Sequence, residues 1–158
     1  MKRVIAGDDI LINTYQQLVR KTIPLTEYMD WQIKALSPMK IHCAIKLEPN
    51  INIHGTAFAG SIYASAMATG WTLMKCWYDS NQYQAELVAA EANIKYLLPV
   101  TEDFACFAEI NAENEALVKL TSRLEQNRTC GFPVSIEIKC HDQLCAILDV
   151  NFVFKCQK

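Results

Sequence analysis

Residues 55–74, GTAFAGSIYASAMATGWTLM, decide the fold of this chain. The segment contains no charged residue, and its small residues fall on every side of a helical wheel. A surface helix shows a polar face, whereas the widest polar feature here is a hydroxyl or two. As a helix the segment would be roughly 30 Å long, at 1.5 Å per residue. The pattern therefore predicts a long helix that is covered on all sides.

A membrane is one environment that would cover such a helix, because about 20 uncharged residues are enough to span a bilayer. The segment is low in Leu and Val, however, and it carries four hydroxyl side chains between Thr56 and Thr69. The segments that follow read as strands too polar on one face for lipid. We therefore favour a soluble protein in which a sheet wraps the helix, and we predict no membrane contact.

Length and composition favour one globular domain. A chain of 158 residues can bury a core without disulfides or metals. We predict a single domain over residues 1–158, with an N-terminal helix in 1–22 and the core in 23–158. The formal net charge is −2 and the Lys and Arg residues are scattered, so the chain lacks the basic surface that nucleic acid binding requires.

The cysteines predict reduced core thiols. There are seven, an odd number, and they lie mostly inside apolar runs without a CxxC pair. Cys140, His141 and Cys145 form the nearest approach to a metal cluster, but their spacing matches no zinc pattern, so we predict no metal. The N-terminus MKRVIAGDD turns acidic before any apolar stretch long enough for a signal peptide. The predicted location is the reducing cytoplasm.

The rest of the chain alternates helical and strand-like patterns. Asp8 or Asp9 can cap a helix that runs to about Lys21, and Asn114 can cap a second one through Gln126. The apolar stripe of the first helix is predicted to hold Ile10, Leu11, Tyr15 and Leu18. A short helix or turn leading into extended chain is predicted within residues 25–36, and a polar turn at 78–84. Strands are predicted over 39–48, 86–98, 104–110, 132–141 and 144–156, the last two as a hairpin. Alternation predicts one shared face in the first strand (Ile41, Cys43, Ile45, Leu47) and one in the second (Val88, Ala90, Ala92, Ile94, Tyr96), and the leucines of the second helix (Leu117, Leu120, Leu124) are spaced to pack on the sheet edge. Short connections imply a mainly antiparallel sheet and an α+β fold.

Residues 50–61, NINIHGTAFAGS, carry a resemblance to a known family. The pattern N-x-N-x-x-G-T-x-F-x-G-S…G-W, with IPLTEYM upstream and IKYLLPV downstream, resembles the acyl-thioester hydrolases of the hotdog superfamily. It is most similar to the YiiD C-terminal thioesterase domain, over nearly the whole chain from about Ile23. The resemblance implies the hotdog fold, in which an antiparallel β-sheet wraps a long central α-helix.

The same resemblance implies a function in fatty-acid metabolism. The expected activity is hydrolysis of acyl-CoA or acyl-carrier-protein thioesters, without a cofactor. The expected assembly is a homodimer or homotetramer, with the acyl chain between two central helices. Lys95 and Tyr96 could meet the coenzyme-A or carrier arm, and Arg123 or Arg128 could meet its phosphates. The alternative is that the basic residues among them are ordinary surface cations.

The helix start is also a plausible site on physical grounds. It offers unpaired N–H groups and the positive end of the helix dipole, which suit a developing oxyanion. We expect these donors around Phe58 to Ser61, where Gly55 and Gly60 would let a substrate approach closely. The predicted catalytic residues are Asn52, His54, Ser61 and Ser65, and the predicted substrate-binding residues are Gly55, Thr56, Phe58, Gly60, Lys95 and Tyr96. The alternatives are a turn bond for Asn52 and packing roles for His54 and Ser65.

One departure from the resemblance matters for the chemistry. Many hydrolases of this fold carry an Asp or Glu inside the central helix, at a position that falls near Met67. No acid occurs between Gly55 and Lys75. Either hydrolysis depends on the residues named above, or the protein binds acyl thioesters without cleaving them. Glu91 is the one acid considered as a substitute, against a solvated strand position. A dehydratase ranks lower, because His54 lacks the helix acid that it needs.

Overall fold

The computed structural model describes residues 6–157. The helices are α1 (Ala6–Thr22), α2 (Leu25–Tyr28), α3 (Ala59–Ser80) and α4 (Glu115–Glu125). The strands are β1 (Trp31–Ser37), β2 (Lys40–Ile45), β3 (Glu86–Tyr96), β4 (Phe104–Glu109), β5 (Cys130–Cys140) and β6 (Gln143–Lys155), and a 3-10 turn covers Glu48–Asn50. The strands form one sheet in the order β1-β2-β4-β5-β6-β3, with every pair antiparallel. The predicted α+β class is confirmed.

The predicted long helix is α3, and it packs against all six strands. Buried hydroxyls on α3 donate to carbonyls one turn earlier, Thr69 Oγ1 to Ser65 O at 2.8 Å and Thr72 Oγ1 to Ala68 O at 2.7 Å. These bonds let a helix that carries hydroxyl side chains enter the core without leaving those hydroxyls unpaired.

The ends of α3 and one of its faces differ from the prediction. The helix begins at Ala59 rather than Gly55, because the preceding residues form a closed loop. It continues past the predicted polar turn to Ser80, because the buried Trp77 keeps the last turn in the core. Its cover is also incomplete, since a stripe of α3 residues within this chain is only partly buried: Tyr63, Ala64, Met67, Trp71 and Lys75.

The alternation of buried and exposed residues confirms β2 and corrects β3. Ile41 and Cys43 are fully buried, as predicted. In β3 a register shift between Ala89 and Glu91 interrupts the predicted alternation. Such a bulge inserts one residue and turns the side chains beyond it to the other face. The prediction that Val88, Ala90, Ala92, Ile94 and Tyr96 share one face is therefore wrong.

Three further features of the fold bear on the prediction: β1, the last hairpin and α4. Residues 31–37, expected only as chain leading into a strand, form the sixth strand, β1. The hairpin of β5 and β6 is confirmed, and its turn residues His141 and Asp142 both have positive φ. In α4 the Asn114 side chain accepts a hydrogen bond from Ala116 N at 2.9 Å, as predicted for an N-cap. Its apolar spacing is confirmed by three buried residues: Leu117, Leu120 and Leu124.

The first helix lies along β1 and covers its free edge. Gln16 Nε2 donates to Trp31 O at 3.2 Å, and Ile33 N donates to Gln16 Oε1 at 2.7 Å. These bonds satisfy edge groups that would otherwise pair with another chain. Asp8 and Asp9 lie in the first turn of α1 instead of capping it, since the helix begins at Ala6. The predicted apolar stripe is corrected at Ile10, which is exposed, whereas Val19 is fully buried.

The hydroxyl of Tyr15 ties α1 to the last turns of α3. It donates to Asp79 Oδ2 at 2.7 Å, and Lys75 Nζ donates to Asp79 Oδ1 at 2.6 Å. Burial and the neighbouring carboxylate raise the pKa of Tyr15 above its ordinary value. The phenol therefore remains a donor throughout the physiological pH range.

Tyr15→Phe is expected to lower the free energy of unfolding by about 1.5–3 kcal/mol, because it removes a hydrogen bond to a charged group. Urea denaturation measures the change. Tyr28→Phe is the matched control, because Tyr28 is 79% exposed and should lose little. Equal losses in the two variants would contradict the assigned bond.

Two further observations concern the cysteines and the hydropathy of the helices. All seven cysteines are free; six are buried and Cys156 is half-buried, as predicted for core thiols. Among residues 6–157, the helices fall short of the length and apolar character that a membrane span needs.

Candidate active site

The loop before α3 is built around the side chain of Asn52. An isolated bridge between Ile51 and Ala57 closes the loop, and Asn52 N donates to Thr56 O at 2.8 Å. Asn52 Oδ1 accepts from His54 N at 2.8 Å and from Thr56 N at 3.2 Å, while Asn52 Nδ2 donates to Thr56 Oγ1 at 2.9 Å. The structure thus shows the turn bond for Asn52. Its amide groups hold the loop and Thr56 in place.

Gly55 and His54 lie at the exposed tip of this loop. Gly55 has φ +77°, a left-handed conformation that glycine adopts without strain. His54 is exposed, and its neighbour Ile53 is 95% exposed. An imidazole at this position is open to solvent and to any molecule that approaches the start of α3.

The start of α3 leaves three backbone donors available. Phe58, at the N-cap, has its own N–H bonded to Asn50 O at 2.7 Å, so the predicted donor set is narrowed to residues 59–61. These N–H groups lie in the first helical turn, where no carbonyl of the helix is placed to accept from them. Phe58 is a hydrocarbon and cannot cap them. Its exposed ring lies beside Gly60, since a Cβ on Gly60 would be 2.5 Å from Phe58 Cε1.

Of the two β3 residues predicted to bind substrate, only Tyr96 reaches the helix. Tyr96 Oη donates to Ala59 O at 2.8 Å, and its side chain is about half exposed. Partial burial, and then Tyr63, raise the pKa of Tyr96. Lys95 is its neighbour on the strand and therefore points to the opposite sheet face. The structure brings together Tyr96, Tyr63 and the first turn of α3.

The two serines of α3 occupy different environments. Ser61 is half-buried in the first turn, beside the free donors. Ser65 is fully buried, and its hydroxyl donates to Met29 Sδ at 3.6 Å. These contacts fit a packing role for Ser65, because its hydroxyl is enclosed by the core and does not face the start of the helix.

An apolar groove of about 330 Å³ runs along the uncovered face of α3. One wall comes from α3 and the other from the segment between α1 and β1, with Ala89 of β3 at the side. Met67, near the helix position at which the resemblance led us to expect an acid, lines this groove. The lining residues are Ile23, Leu25, Met29, Tyr63, Ala64, Met67, Ala68, Trp71 and Ala89.

The other charged candidates lie away from the helix start. Glu91 pairs with Asn151, whose neighbours Val150 and Phe152 are buried, so Glu91 faces outward and cannot replace the missing helix acid. The loop holding Arg128 joins α4 to β5, whose first residue pairs with β6 near the C-terminal end of α3. Arg123 Nε donates to Thr129 O at 3.0 Å in this same region. Both arginines are therefore separated from the predicted site by the length of α3.

The groove residues were not predicted as a site. Tyr63, Met67 and Trp71 recur at intervals of four residues, which places them on one helical face. That spacing could have identified the stripe. It did not stand out because the small residues around it are equally apolar.

Comparison with known proteins identifies the family. Residues 12–156 match the family described as "Putative thioesterase (yiiD_Cterm)". This chain belongs to that thioesterase family. Among solved structures, the "putative thioesterase" of Shewanella oneidensis is 30% identical and superposes with a TM-score of 0.83, covering 93% of this chain and 99% of its own.

Two solved structures of lower sequence identity share the fold of this YiiD C-terminal family member. A protein of unknown function from Chlorobaculum tepidum gives a TM-score of 0.86 at 19% identity, covering 95% of this chain and 97% of its own. A thioesterase from Haemophilus influenzae gives 0.71 at 15% identity, covering 92% and 90%. The predicted hotdog fold is confirmed, with α3 as the central helix.

Proposed function

We propose that this protein hydrolyses acyl thioesters of coenzyme A or acyl carrier protein at the start of α3. The observation that carries the proposal is the apolar groove on α3, whose first lining residue on the helix, Tyr63, lies two residues after the turn with the free N–H groups. An acyl chain fits the groove by its apolar character, and its carbonyl oxygen suits the donors at the groove end. Membership of a thioesterase family supports the same reaction.

The proposed chemistry uses the loop and the first turn of α3. The N–H of Gly60 donates to the thioester carbonyl and then to the oxyanion, helped by the helix dipole. His54 accepts a proton from the attacking water and so acts as the general base. The water oxygen bonds to the carbonyl carbon, the C–S bond breaks, and the proton passes from His54 to the leaving thiolate. Ser61 orients the water, and Asn52 positions the loop.

The proposal includes assembly into at least a homodimer, which would cover the groove. The outer edge of β3 has no strand partner among residues 6–157, and long free edges tend to pair. Large apolar side chains are also exposed around the start of α3, as at protein interfaces. These are Ile51, Ile53, Phe58, Leu97 and Leu98.

A second candidate is a protein that binds acyl thioesters without cleaving them. It is favoured by one observation: the acid expected on the central helix is replaced by Met67, and Glu91 faces away from α3. Such a protein would keep the groove and the N–H donors but would not activate water.

A thiol-release assay with acyl-CoA substrates tests the proposal. The wild type should release free coenzyme A, and Asn52→Ala should lose most of this turnover, because the loop that carries His54 loses its side-chain bonds. Asn13→Ala, the same substitution at an exposed position of α1 outside the site, is the control and should retain the rate. Tight binding of acyl-CoA with no thiol release would overturn hydrolysis in favour of the binding protein.

A further inference from the structure

We propose that Trp71 is the end stop of the acyl groove and restricts this protein to acyl chains of about twelve carbons or fewer. The inference rests on the proposed function, because it assumes that the groove holds the acyl chain. It adds a length limit to the substrate class and assigns it to one side chain.

The groove follows one stripe of α3 and ends at Trp71. Tyr63, Met67 and Trp71 line it at successive turns, and each is partly buried against the core. Ala64 and Ala68 lie between them and make the groove wide along its middle. The stripe thus holds its small side chains in the middle of the groove and a large indole at its far end.

Charge closes the path beyond Trp71. The next residue on the stripe is Lys75, whose Nζ donates to Asp79 Oδ1 at 2.6 Å and to Tyr78 Oη at 2.9 Å. Tyr15 of α1 bonds the same carboxylate, so this cluster also holds α1 against the last turns of α3. An alkyl chain that passed Trp71 would have to displace a bonded ammonium group without offering it a partner, which is unfavourable.

The length of the groove sets the limit. From Ser61, beside the donors, to Trp71 the helix rises roughly 15 Å, at 1.5 Å per residue. A saturated chain with C–C bonds of about 1.5 Å advances about 1.25 Å per carbon when fully extended. About twelve carbons therefore fit between the thioester carbonyl and the indole.

The test measures kcat/KM by thiol release for acyl-CoA substrates from butanoyl- to octadecanoyl-CoA. The wild type should fall by about tenfold or more between dodecanoyl- and hexadecanoyl-CoA, since even one methylene that a pocket cannot hold costs about tenfold. Trp71→Ala should raise the hexadecanoyl-to-dodecanoyl ratio by about tenfold. Trp71→Phe should shift the ratio less, in the same direction, and keeps the test available if Trp71→Ala fails to fold.

Met67→Ala is the matched control. It widens the middle of the groove without opening its end, so it should change kcat/KM at all lengths but leave the optimum in place. Turnover with an optimum that both Trp71 variants leave unmoved would overturn the end stop and leave hydrolysis standing. Absence of thiol release at every length would overturn the proposed reaction. In that case the dissociation constants of the same acyl-CoA series would test the end stop. The hexadecanoyl-to-dodecanoyl ratio of binding affinities would replace the ratio of kcat/KM values.

Discussion

Replacing Gly60 with proline is expected to lower kcat for acyl-thioester hydrolysis by about 10²–10³-fold, the usual loss when one oxyanion donor is removed. Gly60 is the second residue of α3, in the turn whose N–H groups make no helical bond. Proline is tolerated in a first turn for that reason. The substitution therefore removes a donor to the reacting carbonyl without removing a bond that holds the fold. Thiol release at saturating acyl-CoA measures the loss.

Gly60→Ala separates the donor from the added bulk. Alanine retains the N–H, and its Cβ would press on the ring of Phe58, which is 56% exposed and free to swing outward. We expect Gly60→Ala to keep most of the wild-type kcat, and both variants to keep the wild-type circular dichroism. An unchanged kcat in Gly60→Pro would show that another amide binds the oxyanion. An equal loss in both would assign the effect to crowding of Phe58.

The spacing of apolar residues was sufficient to predict a strand or helix wherever the buried residues recur with the period of that element, about two for a strand and 3.6 for a helix. In β2 the alternation around Ile41 and Cys43 reports the buried face directly. In α4 the Asn114 cap and the leucine spacing act within a few residues of each other. The uncharged stretch around Ala66 predicts a buried helix because no arrangement on the surface would satisfy it.

The sequence could not predict features that depend on distant partners. The bulge after Ala89 is a property of the pairing between β3 and β6, and residues 86–96 alternate well enough to hide it. Burial of β1 depends on α1, whose Gln16 occupies the strand edge from 15 or more residues away. The open stripe on α3 is invisible for a related reason. A helix that is apolar all round does not reveal which of its faces the sheet leaves uncovered.

The sequence indicated where the candidate site lies along the chain, but not which of its side chains contact the loop and core and which remain open to substrate. The Asn and Gly residues of 50–61 mark a tight loop before a helix, and the free donors lie in the first turn of that helix. Whether Asn52 acts on substrate or on the loop depends on its bonds, and both atoms of its amide are used by the loop. For Ser65 the answer depends on Met29, which lies 36 residues earlier in the chain.

Gly70→Leu is expected to lower the free energy of unfolding by about 3 kcal/mol, the upper end of the usual cost of overpacking a core. Gly70 is fully buried where α3 crosses the sheet, and a Cβ there would lie 2.8 Å from Ile136 Cδ1 and 3.2 Å from Phe152 Cε2. Both neighbours are fully buried and have no empty space to enter. Urea denaturation measures the change. A loss below about 1 kcal/mol would mean that helix and sheet separate easily here.

A double-mutant cycle locates the clash and provides the control. Gly70→Ala alone gains about 1 kcal/mol of helix propensity but must displace the Ile136 methyl. Ile136→Val removes that methyl, and alone it should cost about 0.5–1.5 kcal/mol for the space it leaves. Together the two substitutions should be more stable than the sum of their separate effects by about 1 kcal/mol, because the new Cβ fills that space. Strictly additive effects would mean that the new Cβ clashes with the ring of Phe152 and not with Ile136. The Phe152 ring would then be the contact that sets the distance between α3 and β6.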